Sequence, residues 1–350
     1  MSDDAAPPVD LGRLNAWVKE TDLPGDGPVT SLDPLTGGSQ NLLFSAVRAD
    51  GTELVLRRPG RHVRPDAAGP FAREARVLGA LAGTDVPHPR LYGGDLTGDV
   101  LGVPFSVMEK IEGFTPRGPL PGRFATDGGW RRDMAFDLVA GAARLGSVDP
   151  DAVGLGDLSK RGGWAERQVP RYLRMLEGYR ESAEYRENES PLVGPVSEWL
   201  QANRPTGGTV VGIVHGDLQF ANVMVRHDAP RLAAIVDWEM ASLGDPLLDL
   251  AWILTAWREE DDPPGSGPQL EPWEDMPSRA ELVAHYAELT GRDVSGFRWF
   301  QVLACFRLAA LLEGSYFRAL TGTMDPRIGM GLHTYATWLW SLAEREIARA

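Results

Sequence analysis

The stretch "VHGDLQFANVMV" (214–225) constrains this chain more than any other feature. His215, Asp217 and Asn222 sit in a short polar loop, with strand-like sequence on both sides: "TVVGIV" before it and "NVMV" after it. Buried strands pin the ends of such a loop, so Asp217 and Asn222 are aimed rather than left to wander. A third apolar run, "LAAIV" (232–236), delivers Asp237 at its end. Two carboxylates and one carboxamide at strand edges suit a magnesium and proton-transfer site. Hard cations want oxygen ligands, and magnesium typically takes one or two protein groups plus substrate phosphates. An acceptor hydroxyl needs a carboxylate to receive its proton. The competing reading is a hydrogen-bonded loop with no chemistry.

The rest of the chain divides by periodicity. Residues 11–20, "LGRLNAWVKE", place Leu11, Leu14, Trp17 and Val18 on one helical face. A glycine turn then runs into a strand (35–47), Asp50-Gly51 marks a hairpin, and "TELVLRRP" (52–59) continues the antiparallel theme. A helix is expected over 69–83, and short strands in "PRLYGGD" and "PFSVMEKIEG". Past Gly113 the helical stretches are 131–146, 164–184, 246–258, 278–290, 297–320 and 330–348, with loop-like insertions at 113–129 and 259–277. The expected plan is α+β and bilobal. Residues 1–27 form a tail and helix, 28–112 a small antiparallel β lobe with one helix ending in a hinge, and 113–350 a large, mainly helical lobe carrying the catalytic loop.

Alternation in "ELVLRR" puts Val55 and Arg57 on one strand face and Leu54, Leu56 and Arg58 on the other. A cation beside a small apolar residue suits a nucleotide pocket, the apolar group packing on adenine and the cation on phosphate. Glu74, in the following helix, is placed to hold Arg57 by an ion pair. Gly37, Gly38, Ser39 and Asn41 either cover the phosphates with backbone N–H groups or form a plain hairpin turn. Met108, Glu109 and Ile111 lie in the hinge, whose backbone groups can read an adenine edge.

The spacing H-x-D-x₄-N, followed by an apolar strand ending in Asp, resembles the protein-kinase catalytic set. "HGD" in place of "HRD" looks like the aminoglycoside phosphotransferase and choline kinase branch. "VLRRP", "REARVLGAL", "IVDWEMASLGDPLLDLAWIL", "HYAELTGRD" and "FRLAALLEGSYFRAL" together resemble the phosphotransferase subfamily that includes the kinase-like domain fused to some acyl-CoA dehydrogenases. In that subfamily arginine is usual at the Arg57 position, where protein kinases carry lysine. The resemblance covers about residues 30–345 and implies a protein-kinase-like fold, ATP and Mg2+. It implies that Asp217 orients and deprotonates an acceptor hydroxyl while Asn222 and Asp237 hold magnesium. His215 becomes a scaffold beneath the metal-binding segment, and Asp249 locks the catalytic loop through backbone N–H groups. Asp245 either does likewise or caps the helix ahead of Pro246. Trp238, Trp252 and Trp257 read as core.

Composition excludes other classes. A net charge of −14 argues against nucleic acid, which needs a basic face. The lone Cys305 rules out an intrachain disulfide and reads as a buried helix residue. The start "MSDDAAPPVD" lacks a signal-peptide pattern and no uninterrupted apolar run approaches a membrane span, so a cytoplasmic protein without a membrane partner is expected. Neither G-x-x-x-x-G-K-[ST] nor G-x-G-x-x-G occurs. The leading expectation is an O-phosphotransferase acting on a small-molecule hydroxyl, with a hydroxyacyl-CoA or hydroxy acid as acceptor. Alternatives are an aminoglycoside acceptor, for which the acids of 259–275 supply negative charge, and a nucleotide-binding pseudokinase.

Overall fold

The computed structural model describes residues 9–35, 41–60, 68–160, 162–205, 210–259, 262 and 270–349. After α1 (Leu11–Val18), the alternating segments build an antiparallel sheet from β1 (Val29–Leu35), β2 (Asn41–Arg48), β3 (Glu53–Pro59), β4 (Leu91–Asp95) and β5 (Phe105–Glu109). Its strand order is β1-β2-β3-β5-β4. α2 (Ala68–Leu81) follows β3.

Alternation in β3 feeds two separate cores. Leu54 and Leu56 join Leu14, Val18, Phe105 and Val107 on the face covered by α1. Val55 and its cross-strand partner Met108 face the other way, into the core that fills the rest of the molecule. Leu14 and Val18 are buried as expected, but Leu11 is 39% exposed, because it sits a full turn earlier at the open end of the helix.

The large lobe begins with β6 (Gly118–Pro119), α3 (Gly122–Thr126), α4 (Gly128–Ser147), α5 (Trp164–Tyr179), α6 (Ala183–Asn188) and α7 (Val193–Ala202). Three short strands follow, β7 (Gly212–Val214), β8 (Val223–Val225) and β9 (Leu232–Ile235), then β10 (Ser242–Gly244) and α8 (Leu247–Thr255). β11 (Leu270–Glu271), α9 (Arg279–Thr290), α10 (Phe297–Leu320) and α11 (Pro326–Ala348) complete it. A small antiparallel sheet ahead of a mainly helical lobe is the expected bilobal α+β arrangement.

Three details differ from the sequence reading. The helix expected over 164–184 is two helices, because Ser182 caps α6 by accepting the Tyr185 N–H. The insertion 113–129 is not all loop: it holds α3, and β6 pairs in parallel with β11. α10 is long and apolar enough to span a membrane by length and composition, against the expectation that nothing approached that limit. Its surroundings account for this, since it is a core helix packed among α8, α11 and α5, with Arg307 and Glu313 buried along it.

Candidate active site

α8 fixes the loop that follows β7. Asp249, in the first turn of α8, accepts the backbone N–H groups of His215 (2.7 Å) and Gly216 (2.9 Å). Gly216 has φ +85°, and a Cβ there would lie 2.8 Å from the Met240 carbonyl oxygen, so no other residue fits without strain. His215 is fully buried. Its Nε2–H donates to the Val236 carbonyl (3.0 Å), its ring meets Trp238 edge-on at 4.8 Å, and Nδ1 accepts the Asp217 N–H (3.3 Å). Both ring nitrogens are therefore engaged with backbone, which is a scaffold's geometry. Asp245 does not reach the loop: it accepts the Leu247 N–H and pairs with both terminal nitrogens of Arg292, at 2.7 and 3.2 Å.

Asp217 is half-buried, and donors surround its carboxylate. Oδ1 accepts from Trp252 Nε1 (2.8 Å) and Gln219 Nε2 (2.7 Å), and Oδ2 accepts from Asn222 Nδ2 (2.7 Å). Burial pushes this carboxyl above the usual carboxylate range, while nearby His215 and the three donors pull it back. Asn222 Nδ2 also donates to the Asp217 carbonyl (2.9 Å), which turns the amide oxygen to the other side. Val236 N–H donates to the Asn222 carbonyl (2.9 Å) beside the Val223–Ile235 pair of β8 and β9. That ladder sets Asn222 next to the segment ending in Asp237. Asp237 holds φ +68°, ψ +62°, a left-handed conformation that is costly for a residue with a Cβ, and its side chain is 43% exposed.

Arg57 reaches the same place from β3. It forms a buried ion pair with Glu74, and its Nη2 lies 3.1 Å from Asp237 Oδ1 and 3.7 Å from Glu239 Oε2. Its Nε finds no acceptor among the described residues. Arg58 points to the opposite face and lies over the Phe44 ring (5.7 Å), as alternation requires. Three carboxylates share this one guanidinium. Burial pushes Glu74 up to about 7; Arg57 pulls it down, and Asp237 and Glu239 push it up again. Glu239 is raised in the same way, burial leading and Asp237 next. Asn41 reaches the same cluster: its Nδ2 lies 3.4 Å from Glu239 Oε2. Gly37, Gly38 and Ser39 lie outside the described residues.

Val55 and Met108, paired across β3 and β5, present apolar surface toward the large lobe. Glu109, at the hinge, is tied to Arg90. Its N–H donates to the Arg90 carbonyl (2.9 Å) and its side chain accepts the Arg90 N–H (3.1 Å).

A cavity of about 270 Å³ adjoins the catalytic loop. Phe220, Ile253 and Trp257 form apolar wall, Gln219 links the cavity to Asp217, and Arg117 is its one charged residue. Sequence reasoning missed Gln219, Glu239 and Arg117, which lie in no recognised spacing, and it placed Trp252 and Trp257 only in the core. Both are buried, yet Trp252 touches Asp217 and Trp257 lines the cavity. The one available clue was that Trp252 follows Asp249 by three residues, one helical turn along α8.

Four of the described acids of 259–275 are engaged with other groups of the protein. Asp262 accepts from Arg279 (2.8 Å) and Arg345 (3.0 Å), Glu271 pairs with Arg258 (3.1 Å), and Asp275 with Arg131 (3.3 Å). Glu259 accepts the Arg279 N–H (2.7 Å).

A sheet lobe over a helical lobe, with an Asp, an Asn and a second Asp converging opposite a buried Arg–Glu pair, defines the class of kinase-like small-molecule phosphotransferases. Residues 31–283 match the profile of the APH phosphotransferase enzyme family, and the chain belongs to that family. Acyl-CoA dehydrogenase family member 10 of Mus musculus is 28% identical over 319 residues, covering 86% of this chain but only 28% of that protein's length. Among solved structures, a candidate aminoglycoside phosphotransferase from Ralstonia eutropha superposes with TM-score 0.80 at 28% identity, covering 97% of this chain and 99% of the other. The aminoglycoside phosphotransferase APH(4)-Ia, in a ternary complex with ADP and hygromycin B, gives TM-score 0.60 at 16% identity over 91% of this chain and 95% of that one.

Proposed function

We propose that this chain transfers the γ-phosphoryl group of ATP, with magnesium, to a hydroxyl of a small molecule. The observation that carries the reading is the convergence of Asp217, Asn222, Asp237 and Arg57 on one cleft, tied by the Asn222–Asp217 and Arg57–Asp237 contacts. Among the described residues no three His, Cys, Asp or Glu side chains gather into a metal cage. One carboxylate and one carboxamide oxygen, ringed by surplus negative charge, instead fit a cation that completes its shell from phosphate oxygens and water. Asn222 and Asp237 would hold that cation, which supplies charge neutralisation along the triphosphate.

A carboxylate offers about four acceptor positions. Three on Asp217 are filled, two at Oδ1 and one at Oδ2, so the fourth, on Oδ2, is the place for the acceptor hydroxyl. As the acceptor oxygen bonds to the γ-phosphorus and the bond to the β–γ bridging oxygen breaks, Asp217 takes the hydroxyl proton. Trp252 and Gln219 hold the carboxylate in line, and Asp249 keeps the loop from moving. Arg57, steadied by Glu74, turns from Asp237 to the phosphates. Positioning and fixed charge supply most of the rate.

The acceptor we favour is an apolar hydroxy acid or its thioester. The cavity beside Asp217 is walled by aromatic and aliphatic groups and carries a cation, Arg117. An aminoglycoside acceptor has the likeness to the Ralstonia protein in its favour, but three of the described acids that would attract it, Asp262, Glu271 and Asp275, are paired with arginines. Incubating the protein with Mg-ATP and a panel of hydroxy acids, hydroxyacyl thioesters and aminoglycosides decides between them. ADP release with a phosphorylated hydroxy acid is expected. Nucleotide binding without turnover on any acceptor would leave a pseudokinase.

A further inference from the structure

We propose that a second cavity, on the large lobe away from the catalytic cluster, is a binding site for an organic phosphate ester. It has a volume of about 560 Å³, within the range of small-molecule sites, and is lined from α4, α9, the residue before β9 and Pro246. None of its lining residues belongs to the Asp217–Arg57 cluster.

Its charge runs against that of the molecule. In a chain of net charge −14, this cavity is lined by Arg144, Arg231, Arg292 and His285, with Asp137 as the only acid. Asp137 is buried and already accepts the Leu232 N–H (2.7 Å). Arg144 (2.8 Å) and Arg231 (3.2 Å) both bond its Oδ1, so two guanidinium groups stand side by side over one carboxylate and one positive charge is left over. The Arg231 side chain is 65% exposed and each guanidinium has five N–H donors, so both retain hydrogens for a ligand. Adjacent planar forks match the tetrahedral oxygens of a phosphoryl group and its double charge better than a single carboxylate. Arg292, also in the lining, is held by Asp245 and so adds a guanidinium already in place.

The rest of the lining is mainly apolar, interrupted by Ser147, Tyr286 and Thr290. Val210 and Leu289, 52% and 49% exposed, are two of the large hydrophobic side chains that the described surface leaves open, and both line this cavity. Pro246 adds a further apolar surface. Basic groups and apolar surface in one cavity suit a phosphate carried on an organic body better than inorganic phosphate.

Calorimetry on the intact protein tests this without requiring turnover, so it stands or falls separately from the function proposed above. Phenyl phosphate is expected to bind, and to bind more tightly than inorganic phosphate. Arg231→Gln should weaken phenyl phosphate about tenfold, one lost charge-assisted contact, while Asp137 keeps Arg144 and the fold stays intact. Arg57→Gln should leave it unchanged. No heat at millimolar phenyl phosphate, equal affinity for the two probes, or loss of binding in Arg57→Gln but not Arg231→Gln would each overturn the proposal.

Discussion

Two arginine–carboxylate clusters in the large lobe and at its mouth are built on opposite charge ratios. At Asp262 two guanidinium groups, Arg279 and Arg345, serve one buried carboxylate, which also accepts the Glu259 N–H. At Arg57 one guanidinium serves three carboxylates, Glu74, Asp237 and Glu239. In the first the carboxylate is filled by protein donors, although Arg279 Nε, like Arg57 Nε, finds no acceptor among the described residues. In the second, burial and mutual repulsion raise Glu74 and Glu239, and Asp237 sits in a left-handed conformation. An excess of negative charge around one cation and local strain are what a protein tolerates where a cation and a phosphate chain are to be received.

That contrast can be broken by mutation. The largest expected effect is in the cleft: Asp217→Asn should lower kcat by about 10³-fold, within the range for general-base loss, with the unfolding midpoint little changed. A rate near that of the unaltered protein would remove Asp217 from the proton-accepting role. Next, Asp262→Ala should do the reverse. Leaving Arg279 buried without its partner should cost about 3–4 kcal/mol in urea unfolding while kcat below the transition holds. Equal damage to activity would mean the two clusters are not separable.

Glu74 sharpens the contrast through pH. Its carboxyl ionises near 4.5 when unfolded and near 7 when folded, so its contribution favours the folded state below 4.5 and is lost as pH rises toward 7. In the ligand-free protein Glu74→Gln should flatten stability across that window by about 2 kcal/mol, read from unfolding at pH 5 and 7. An unchanged slope would place the titration elsewhere. The smallest effect belongs to Trp252→Phe. Removing one donor from Asp217 Oδ1 raises that carboxyl further, so the acid limb of the kcat/KM profile should move to higher pH, with about a tenfold loss at low pH. A profile that drops uniformly without shifting would make Trp252 a packing residue only.

Much of the candidate site was legible because its parts are spaced by short, regular elements. Asp217 and Asn222 lie five residues apart on a loop between β7 and β8, and Asp237 follows β9, so local geometry carries them together. Alternation likewise settled which of Arg57 and Arg58 faces the cleft. What stayed hidden depends on partners distant in sequence. Glu239 gains meaning only beside Arg57, 182 residues earlier. Trp252 carries no polar signal that separates an indole N–H aimed at Asp217 from one buried in core. Acids in 259–275 look available in the sequence, and only the fold brings Arg131, Arg279 and Arg345 against them.

The sequence by itself determined the main strands and the long helices, the face each β3 residue takes and the identity of the catalytic-loop residues, because hydrophobic period and local spacing act over a few residues. Only the tertiary structure decided which charges are matched and which are left in excess. Burial and electrostatic compensation are properties of neighbours in space, and those neighbours come from both lobes.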